Sequence, residues 1–301
     1  MTTEQFLHGL LTGQDLSAEQ EKALQAHKTE VTAFLRAEFG QTPVIKYAGS
    51  REKGTLIAEK YDLDIVCYFP SSEARSLKEI RADVSNHLRK KYALQSKASV
   101  ERIVSLKGIS TPSSYHVDVV PGRFIDRSKD VFLHVASGDK ERMQTNLKAH
   151  IDHVVDSGCV PVIRLVKLWA CRNSVDIKTF VLELFAVRAL SGSHNKADLT
   201  KSFRQVLESL RDEFGRVQLV DPANTNNIVS QLVDSSAKAL IAQAAKTALE
   251  TVGESDEIAD WQTVFRETGS KHSHVPPISP GPSVLRTSPS AGFVPHAPHA
   301  C

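Results

Sequence analysis

The stretch GSREKGTLIAEKYDLDIVCYF, residues 49–69, decides the fold. It ends in DLDIVCYF (62–69), which predicts a buried β-strand with polar residues only at its start, and Pro70 ends this strand. The preceding VIKYAG (44–49) predicts a short strand that ends at glycine, and REKGTLIA predicts a short helical or looped segment. This core strand begins with two aspartates separated by one residue and follows a glycine–serine pair. Such polar residues beside a core strand indicate a functional site.

Helical and strand patterns alternate around this stretch. Residues 17–38 carry apolar positions at helical intervals, and residues 71–92 do the same after opening with serines suited to N-capping. Two β-rich runs, 99–109 and 114–124, predict a hairpin or two adjacent strands. We therefore expect a first lobe over residues 1–140, with a mixed sheet and an N-terminal helix that packs across both lobes.

The following part of the chain is helical and ends in a proline-rich segment. Its helical candidates are 160–172, 178–190, 199–213 and 234–251. The first two are apolar on most faces, as helices inside a lobe are, and the last two are joined by the polar loop DPANTNN at 221–227. These patterns predict a helical second lobe over residues 141–268. Residues 269–301 are rich in Pro, Ser, Gly and His and are predicted to form a disordered tail.

Charge and composition limit the partners. The 301 residues include 37 basic and 35 acidic side chains, so the formal net charge of +2 gives no general attraction to nucleic acid or membrane. Four cysteines without metal-type or disulfide spacing fit reduced thiols in the cytoplasm. No apolar run approaches the roughly 18 residues of a membrane helix. We expect a globular cytoplasmic monomer, with neither a membrane nor a long nucleic acid as partner.

Three aspartates are the candidate metal ligands. Asp62 and Asp64 stand at positions i and i+2 of a predicted strand, so their side chains share one face. Asp118, in the apolar run VDVV, adds a third carboxylate if the two strands pair. Without a basic neighbour in the sequence, three converging carboxylates repel one another unless a hard cation such as Mg²⁺ neutralises them. Two such ions about 3.5–4 Å apart serve phosphoryl or nucleotidyl transfer.

Each signal alone also has a simpler explanation. An acidic pair at a strand entrance is usually solvated, and most glycine–serine pairs are turns. Gly49 and Ser50 nevertheless fit the phosphate half of such a site, because glycine lets the backbone approach a ligand closely. His116, beside Asp118, is expected to point away from it because neighbouring side chains on a strand alternate. The order and spacing of the aspartates together favour a functional site.

The patterns GS-x-x-K-GT, DLDIV and HVDVVP, in this order, resemble the polymerase β-like nucleotidyltransferase superfamily. Within it, the chain is most similar to the branch of oligoadenylate synthetase and cyclic-GMP-AMP synthase, especially the bacterial CD-NTases of anti-phage (CBASS) signalling. Later blocks resemble the same branch: QTNLKAH (144–150), IRLVKLW (163–169), KTFVLELF (178–185) and DPANTNN (221–227). The resemblance implies a two-lobed α+β fold, with a mixed-sheet catalytic lobe and a helical nucleotide-binding lobe.

The resemblance also implies roles for residues of the first lobe. Asp62, Asp64 and Asp118 would be catalytic and would bind two Mg²⁺ or Mn²⁺ ions, with Asp118 also helping to activate the attacking hydroxyl. Gly49 and Ser50 would hold the donor triphosphate, ATP or another nucleoside triphosphate such as GTP.

By the same resemblance Lys167, Lys178 and Thr179 would reach the donor phosphates from the second lobe. Lys167 lies in an apolar helix, where a long cation either reaches solvent or meets an anion. Thr179 begins a predicted helix, where a hydroxyl serves as a cap or as an anion ligand. Glu183, on an apolar helix, is expected to pair with a cation inside its own lobe.

Three functions remain in competition on the sequence. The leading one is a synthetase that joins nucleoside triphosphates into a cyclic or linear oligonucleotide second messenger. The others are a template-independent RNA nucleotidyltransferase, which would need a more basic surface, and a non-catalytic nucleotide-binding scaffold. The tail is a candidate binding or conjugation site for a regulatory protein, although a solvated appendage explains its composition as well.

Overall fold

A mixed β-sheet forms the first half of the described residues, which are 1–106, 111–136, 141–193, 196–254 and 256–266 of this computed structural model. Its elements are α1 (Thr3–Thr12), α2 (Ala18–Phe39), β1 (Val44–Tyr47), α3 (Gly49–Lys53), β2 (Leu63–Phe69), α4 (Leu77–Arg89), β3 (Leu94–Ser96), β4 (Glu101–Ile103), β5 (Val117–Phe124), β6 (Val131–His134) and β7 (Arg142–Thr145). The sheet order is β1-β2-β5-β4-β3, and β6 joins β5 to β7.

The pairing of β2 with β5 brings distant parts of the sequence together. These two strands are parallel, with Leu63 opposite Val117 and Asp64 opposite Asp118. Strand β1 pairs antiparallel with β2, and β4 pairs antiparallel with β5, which confirms the expected mixed sheet. A parallel pair needs a crossover connection, and α4 lies within the one between β2 and β5.

Helices α2 and α4 provide apolar side chains for the core that includes the middle of β2. Their buried members are Leu24, Val31 and Leu35 of α2 and Ile80, Val84 and Leu88 of α4, which cluster with Leu63, Ile65, Cys67 and Phe69 of β2. The predicted start of the second helix at residue 71 was wrong. Helix α4 begins at Leu77 because Ser76 forms a capping box with Glu79, so the earlier serines precede the helix.

Helices dominate the second half. The elements are α5 (Leu147–Val155), α6 (Val160–Arg172), α7 (Thr179–Ala189), α8 (Leu199–Asp212), β8 (Val220–Asp221), β9 (Asn224–Ile228), a 3₁₀ turn (Val229–Leu232), α9 (Ser235–Val252) and α10 (Ile258–Val264). Their core contains the large buried rings of Trp169, Phe185, Phe203, Phe214 and Trp261. Leu7 and Leu11 of α1 belong to the same cluster, so the first helix of the chain packs with the later helices.

The segment 221–227, predicted as a loop, is instead most of a short antiparallel hairpin of β8 and β9. Asp221 fixes its turn by accepting a hydrogen bond from the Ala223 amide (2.8 Å), which polar composition alone does not distinguish from a loop. Both the boundary predicted after residue 140 and the tail predicted over 269–301 fall on residues outside the described ranges. In the part of the chain that is described, no helix combines the length and apolarity needed to cross a bilayer.

Candidate active site

Gly49 sits where the backbone passes directly beside a candidate metal ligand. It opens α3 with a φ of +62°, and a Cβ at this position would lie 1.6 Å from Oδ2 of Asp64. A side chain would therefore both strain the backbone and collide with the carboxylate. Ser50 follows it and is buried. Gly49 is thus packed against the Asp64 carboxylate, and Ser50 lies next to it in the chain.

The three aspartates lie together. Asp62 immediately precedes β2, Asp64 is the second residue of β2, and Asp118 is its register partner in β5. Burial, followed by the negative charges of Asp62 and Asp118, raises the pKa of Asp64 to about 7. The raised pKa reflects burial first and, after it, the repulsion among carboxylates that the sequence led us to expect.

Two basic side chains also face this cluster, and the sequence analysis missed both. Arg102 of β4, opposite Asp118 in register, binds both of its carboxylate oxygens at 2.9 Å. His116 Nε2 lies 3.3 Å from Oδ2 of Asp62 and 3.6 Å from Oδ2 of Asp118. The expectation that His116 points away was wrong, because residues 116 and 118 are two apart and share a face. The aspartates have no basic neighbour in the sequence, but strand pairing supplies Arg102.

These contacts set the charge of the cluster. Burial would lower the pKa of His116, but Asp118 and Asp62 outweigh it and raise the pKa to about 10, so the imidazole is cationic at neutral pH. Burial likewise opposes ionisation of Asp118, yet His116 and Arg102 keep the pKa of that carboxyl below its usual value. Asp118 is therefore an ionised carboxylate held by two cations.

The donor set fits hard divalent cations. Three carboxylates are the oxygen ligands that Mg²⁺ and Mn²⁺ prefer, and the raised pKa of Asp64 marks negative charge that a cation would stabilise. Among the described residues, no three acidic, histidine or cysteine side chains are already arranged as a metal cluster. The side-chain contacts agree with this, since Asp118 is committed to Arg102 and His116.

A cleft of about 500 Å³ opens beside the aspartates. This volume lies within the range of about 300–1,000 Å³ found for small-molecule sites. Of the residues singled out in the sequence, the cleft is lined by Gly49, Ser50, Asp62, Asp64, His116, Lys167 and Thr179, whereas Asp118 is not among its described lining residues. Lys178 is exposed at the N-cap of α7, outside the set of described residues that line the cleft.

The far wall of the cleft combines rings with hydrogen-bonding groups. His150 Nε2 lies 2.7 Å from Oδ1 of Asp221, and Asn227 Nδ2 donates to Oδ2 of Asp221 at 2.9 Å. The ring of His150 lies 4.8 Å from that of Phe180, and all four residues line the cleft. The hairpin that the sequence suggested was a loop thus supplies part of this wall.

No protein-family model and no curated protein sequence matches the chain. Solved structures match along most of its length. The Escherichia coli MS115-1 CdnC:HORMA-deltaN complex has a TM-score of 0.68 at 18% identity, covering 88% of this chain and 97% of that chain. The Bradyrhizobium diazoefficiens CD-NTase CdnG in complex with GTP has a TM-score of 0.69 at 10% identity, covering 87% and 95%.

A third solved structure is the Vibrio cholerae DncV cyclic AMP-GMP synthase, described as a prokaryotic cGAS homolog. Its TM-score is 0.62 at 19% identity, with 88% of this chain and 80% of that chain covered. At these identities the likeness establishes the fold. The chain has the polymerase β-like nucleotidyltransferase fold of these CD-NTase structures, which confirms the α+β fold expected from its sequence.

Proposed function

We propose that this chain is a nucleotidyltransferase that joins ribonucleoside triphosphates into a cyclic or linear di- or oligonucleotide second messenger and releases pyrophosphate. The observation that carries the proposal is the meeting of Asp62, Asp64 and Asp118 beside a nucleotide-sized cleft that Asp62, Asp64, Gly49 and Ser50 line. Neighbours in fold support it, since CdnG was solved with GTP and an Elizabethkingia meningoseptica CdnE cyclic dinucleotide synthase with GTP and Apcpp.

Different residues bind the donor phosphates and the attacking hydroxyl. Gly49 lets the backbone approach the donor phosphates, and Ser50 and Thr179 supply hydroxyls near them. Asp118 accepts a hydrogen bond from the attacking hydroxyl and orients it in line with the donor. Two Mg²⁺ or Mn²⁺ ions held by the three aspartates would, when bound, acidify that hydroxyl and stabilise the leaving pyrophosphate.

The far wall is the proposed base-binding end of the cleft. Phe180 and His150 offer ring faces on which a nucleobase stacks, and Asn227 offers an amide for hydrogen bonds to the base edge. Asp221 orders this wall by holding His150 and Asn227 in place. Nucleoside triphosphates, ATP or GTP among them, are the proposed substrates.

The setting is part of the proposal. We place the enzyme in the cytoplasm as a monomer acting in anti-phage (CBASS) signalling, with a regulatory or conjugating protein as the partner of residues 269–301. Support for a protein partner comes from CdnC, which was solved as a complex with HORMA-deltaN. Lys178 is retained in this proposal as a second-lobe phosphate ligand.

The test uses purified protein with Mg²⁺ and all four ribonucleoside triphosphates. We expect pyrophosphate release and a short oligonucleotide by mass spectrometry, and at least about a hundredfold loss in the Asp62→Asn/Asp64→Asn variant. Asp126→Asn, at a side chain 78% exposed, is the matched control and keeps activity. Pyrophosphate release that requires added RNA would instead indicate an RNA nucleotidyltransferase. Nucleotide binding without turnover under any metal would indicate a scaffold.

A further inference from the structure

Glu183 of α7 is a fully buried carboxylate, with a side-chain exposure of 0%. Its two hydrogen-bond partners come from the other half of the chain. The ammonium of Lys53, at the end of α3, contacts Oε2, and the Thr55 hydroxyl donates to Oε1 at 2.5 Å. The sequence led us to expect a cation of its own lobe as the partner of Glu183; Lys167 is one, 3.9 Å from Oε1, but the closer contact is with Lys53 of the first half. The pair joins residues 130 positions apart and links α3 to α7.

Lys167 completes the group. Its Nζ donates to the Thr55 carbonyl at 2.7 Å and lies 3.9 Å from Oε1 of Glu183. One carboxylate thus faces two ammonium groups. Burial lowers the pKa of Lys167, and the charge of Glu183 opposes this shift. A buried charge is costly unless it is paired and hydrogen-bonded, so the surplus positive charge requires an anion or a neighbouring negative field.

The surplus charge faces the cleft. Lys53 and Lys167 both line it, together with Gly49, Ser50 and Asp64. Asp62 lines the same cleft, so the two lysines and two of the aspartates share one space. A polyphosphate held by Gly49 and Ser50 would lie next to both ammonium groups.

We propose that Glu183 is a positioning residue that fixes the ammonium groups of Lys53 and Lys167 along the cleft, where the two bind the polyphosphate of the substrate. This role rests on the nucleotidyltransferase function proposed above. A lysine side chain is flexible, and two ammonium groups this close repel each other. Glu183 and Thr55 together restrict that freedom by contacting both ammonium groups and holding them at one side of the cleft.

A buried ion pair that serves stability alone would affect unfolding but not the binding of a polyphosphate. Replacing both partners by apolar residues of similar size is often neutral for stability, whereas removing one partner leaves an uncompensated buried charge. The double variant Lys53→Met/Glu183→Leu therefore separates the two roles. Glu183→Leu alone leaves two buried ammonium groups without a carboxylate, whereas the double variant leaves only Lys167, so we expect the unfolding midpoint of the double variant to lie above that of Glu183→Leu.

The decisive measurement is calorimetric binding of magnesium tripolyphosphate, which contains no base and needs no turnover. We expect the dissociation constant to rise about tenfold or more in the folded double variant. The surface control Lys148→Met, at a side chain 62% exposed, should bind as wild type does. Wild-type affinity in the double variant overturns the proposal.

A milder variant covers the case in which the double variant does not fold. Thr55→Val keeps every charge and removes only the hydroxyl bond to Glu183, so we expect tripolyphosphate affinity to fall about threefold. Unchanged affinity in this variant overturns the proposal. If wild type binds tripolyphosphate but releases no pyrophosphate from any nucleotide mixture, the proposed function fails while the anion site stands.

Discussion

At the scale of single residues, the site depends on the close approach of a glycine backbone to a carboxylate and on negative charge that is not fully neutralised. Gly49 is in contact with the Asp64 carboxylate, and Asp64 carries a raised pKa because burial and two other aspartates disfavour its ionised form. Both features cost stability, which is the pattern expected where function overrides local preference.

The first prediction concerns Gly49. Gly49→Ala should lower activity at least about a hundredfold, because its Cβ would displace Asp64, whose Oδ2 lies only 1.6 Å from that position. Gly40 is the matched control, since its φ is +63° but no atom lies within 4 Å of the position that a Cβ would take. Gly40→Ala should therefore suffer only the backbone strain, visible as a lower unfolding midpoint with activity retained. Equal activities of the two variants would contradict the prediction.

The second prediction concerns Asp64 in metal-free protein. An acid whose pKa rises on folding stabilises the fold below its unfolded pKa, near 4, and this contribution is lost as pH rises towards its folded value of about 7. Asp64→Asn should therefore raise the unfolding midpoint at pH 8, and the gain should shrink towards pH 5. Differential scanning calorimetry in EDTA measures it. A gain that is independent of pH would show that charge repulsion is not its cause.

At the scale of elements, the β8–β9 hairpin is fixed to α5 by one buried side chain. Asp221 contacts His150 of α5 and accepts from the Ala223 amide and Asn227. Burial alone would raise the pKa of Asp221, but His150 and these hydrogen bonds outweigh it and lower the pKa. The hairpin is thereby held against the cleft wall that we propose binds a base.

The third prediction follows from that anchor. Asp221→Asn should cost about 1–3 kcal/mol at pH 7, because it removes the charge that His150 and the backbone amide bind. A lowered folded pKa gives stability above the unfolded pKa, near 4, that is lost as pH falls below it, so the difference from wild type should shrink towards pH 3. Chemical denaturation measures both. Asp152→Asn, in the exposed pair with Lys148, is the control and should differ little from wild type.

At the scale of the whole molecule, the site is assembled from both halves of the chain. The aspartates and Gly49 come from the sheet and α3, whereas Thr179, Lys167 and Glu183 come from α6 and α7. All of these residues fall within one compact unit, Met1–Thr268. The chemistry we propose is therefore carried by this unit.

The fourth prediction concerns residues 270–301. A chain ended after Gly269 should keep pyrophosphate release within about twofold of the full chain, because every proposed site residue lies in the unit Met1–Thr268. The same pyrophosphate assay measures it. Loss of synthesis with an unchanged unfolding midpoint would show instead that the removed residues take part in the reaction.

The sequence predicted those features that depend on neighbours along the chain. Periodicity located α6 at residues 160–172 and β2 within 62–69, and the i, i+2 spacing placed Asp62 and Asp64 together. It missed the short strands β3, β6 and β7. Three or four residues are too few for alternation of apolar and polar side chains to distinguish a strand from a loop. It also took the β8–β9 hairpin for a loop because its polar residues are fixed by tertiary contacts.

The order of secondary structure and the types of candidate ligand were thus encoded locally, in apolar periodicity and in the spacing of a few polar residues. Only the tertiary structure brought Arg102 and His116 to Asp118, and Lys53 to Glu183 across 130 positions. Strand register and helix packing choose such partners, and both are set by burying one apolar core rather than by any neighbouring residue. The location of the site could therefore be predicted from the sequence, whereas the charged groups that surround it could be identified only in the folded structure.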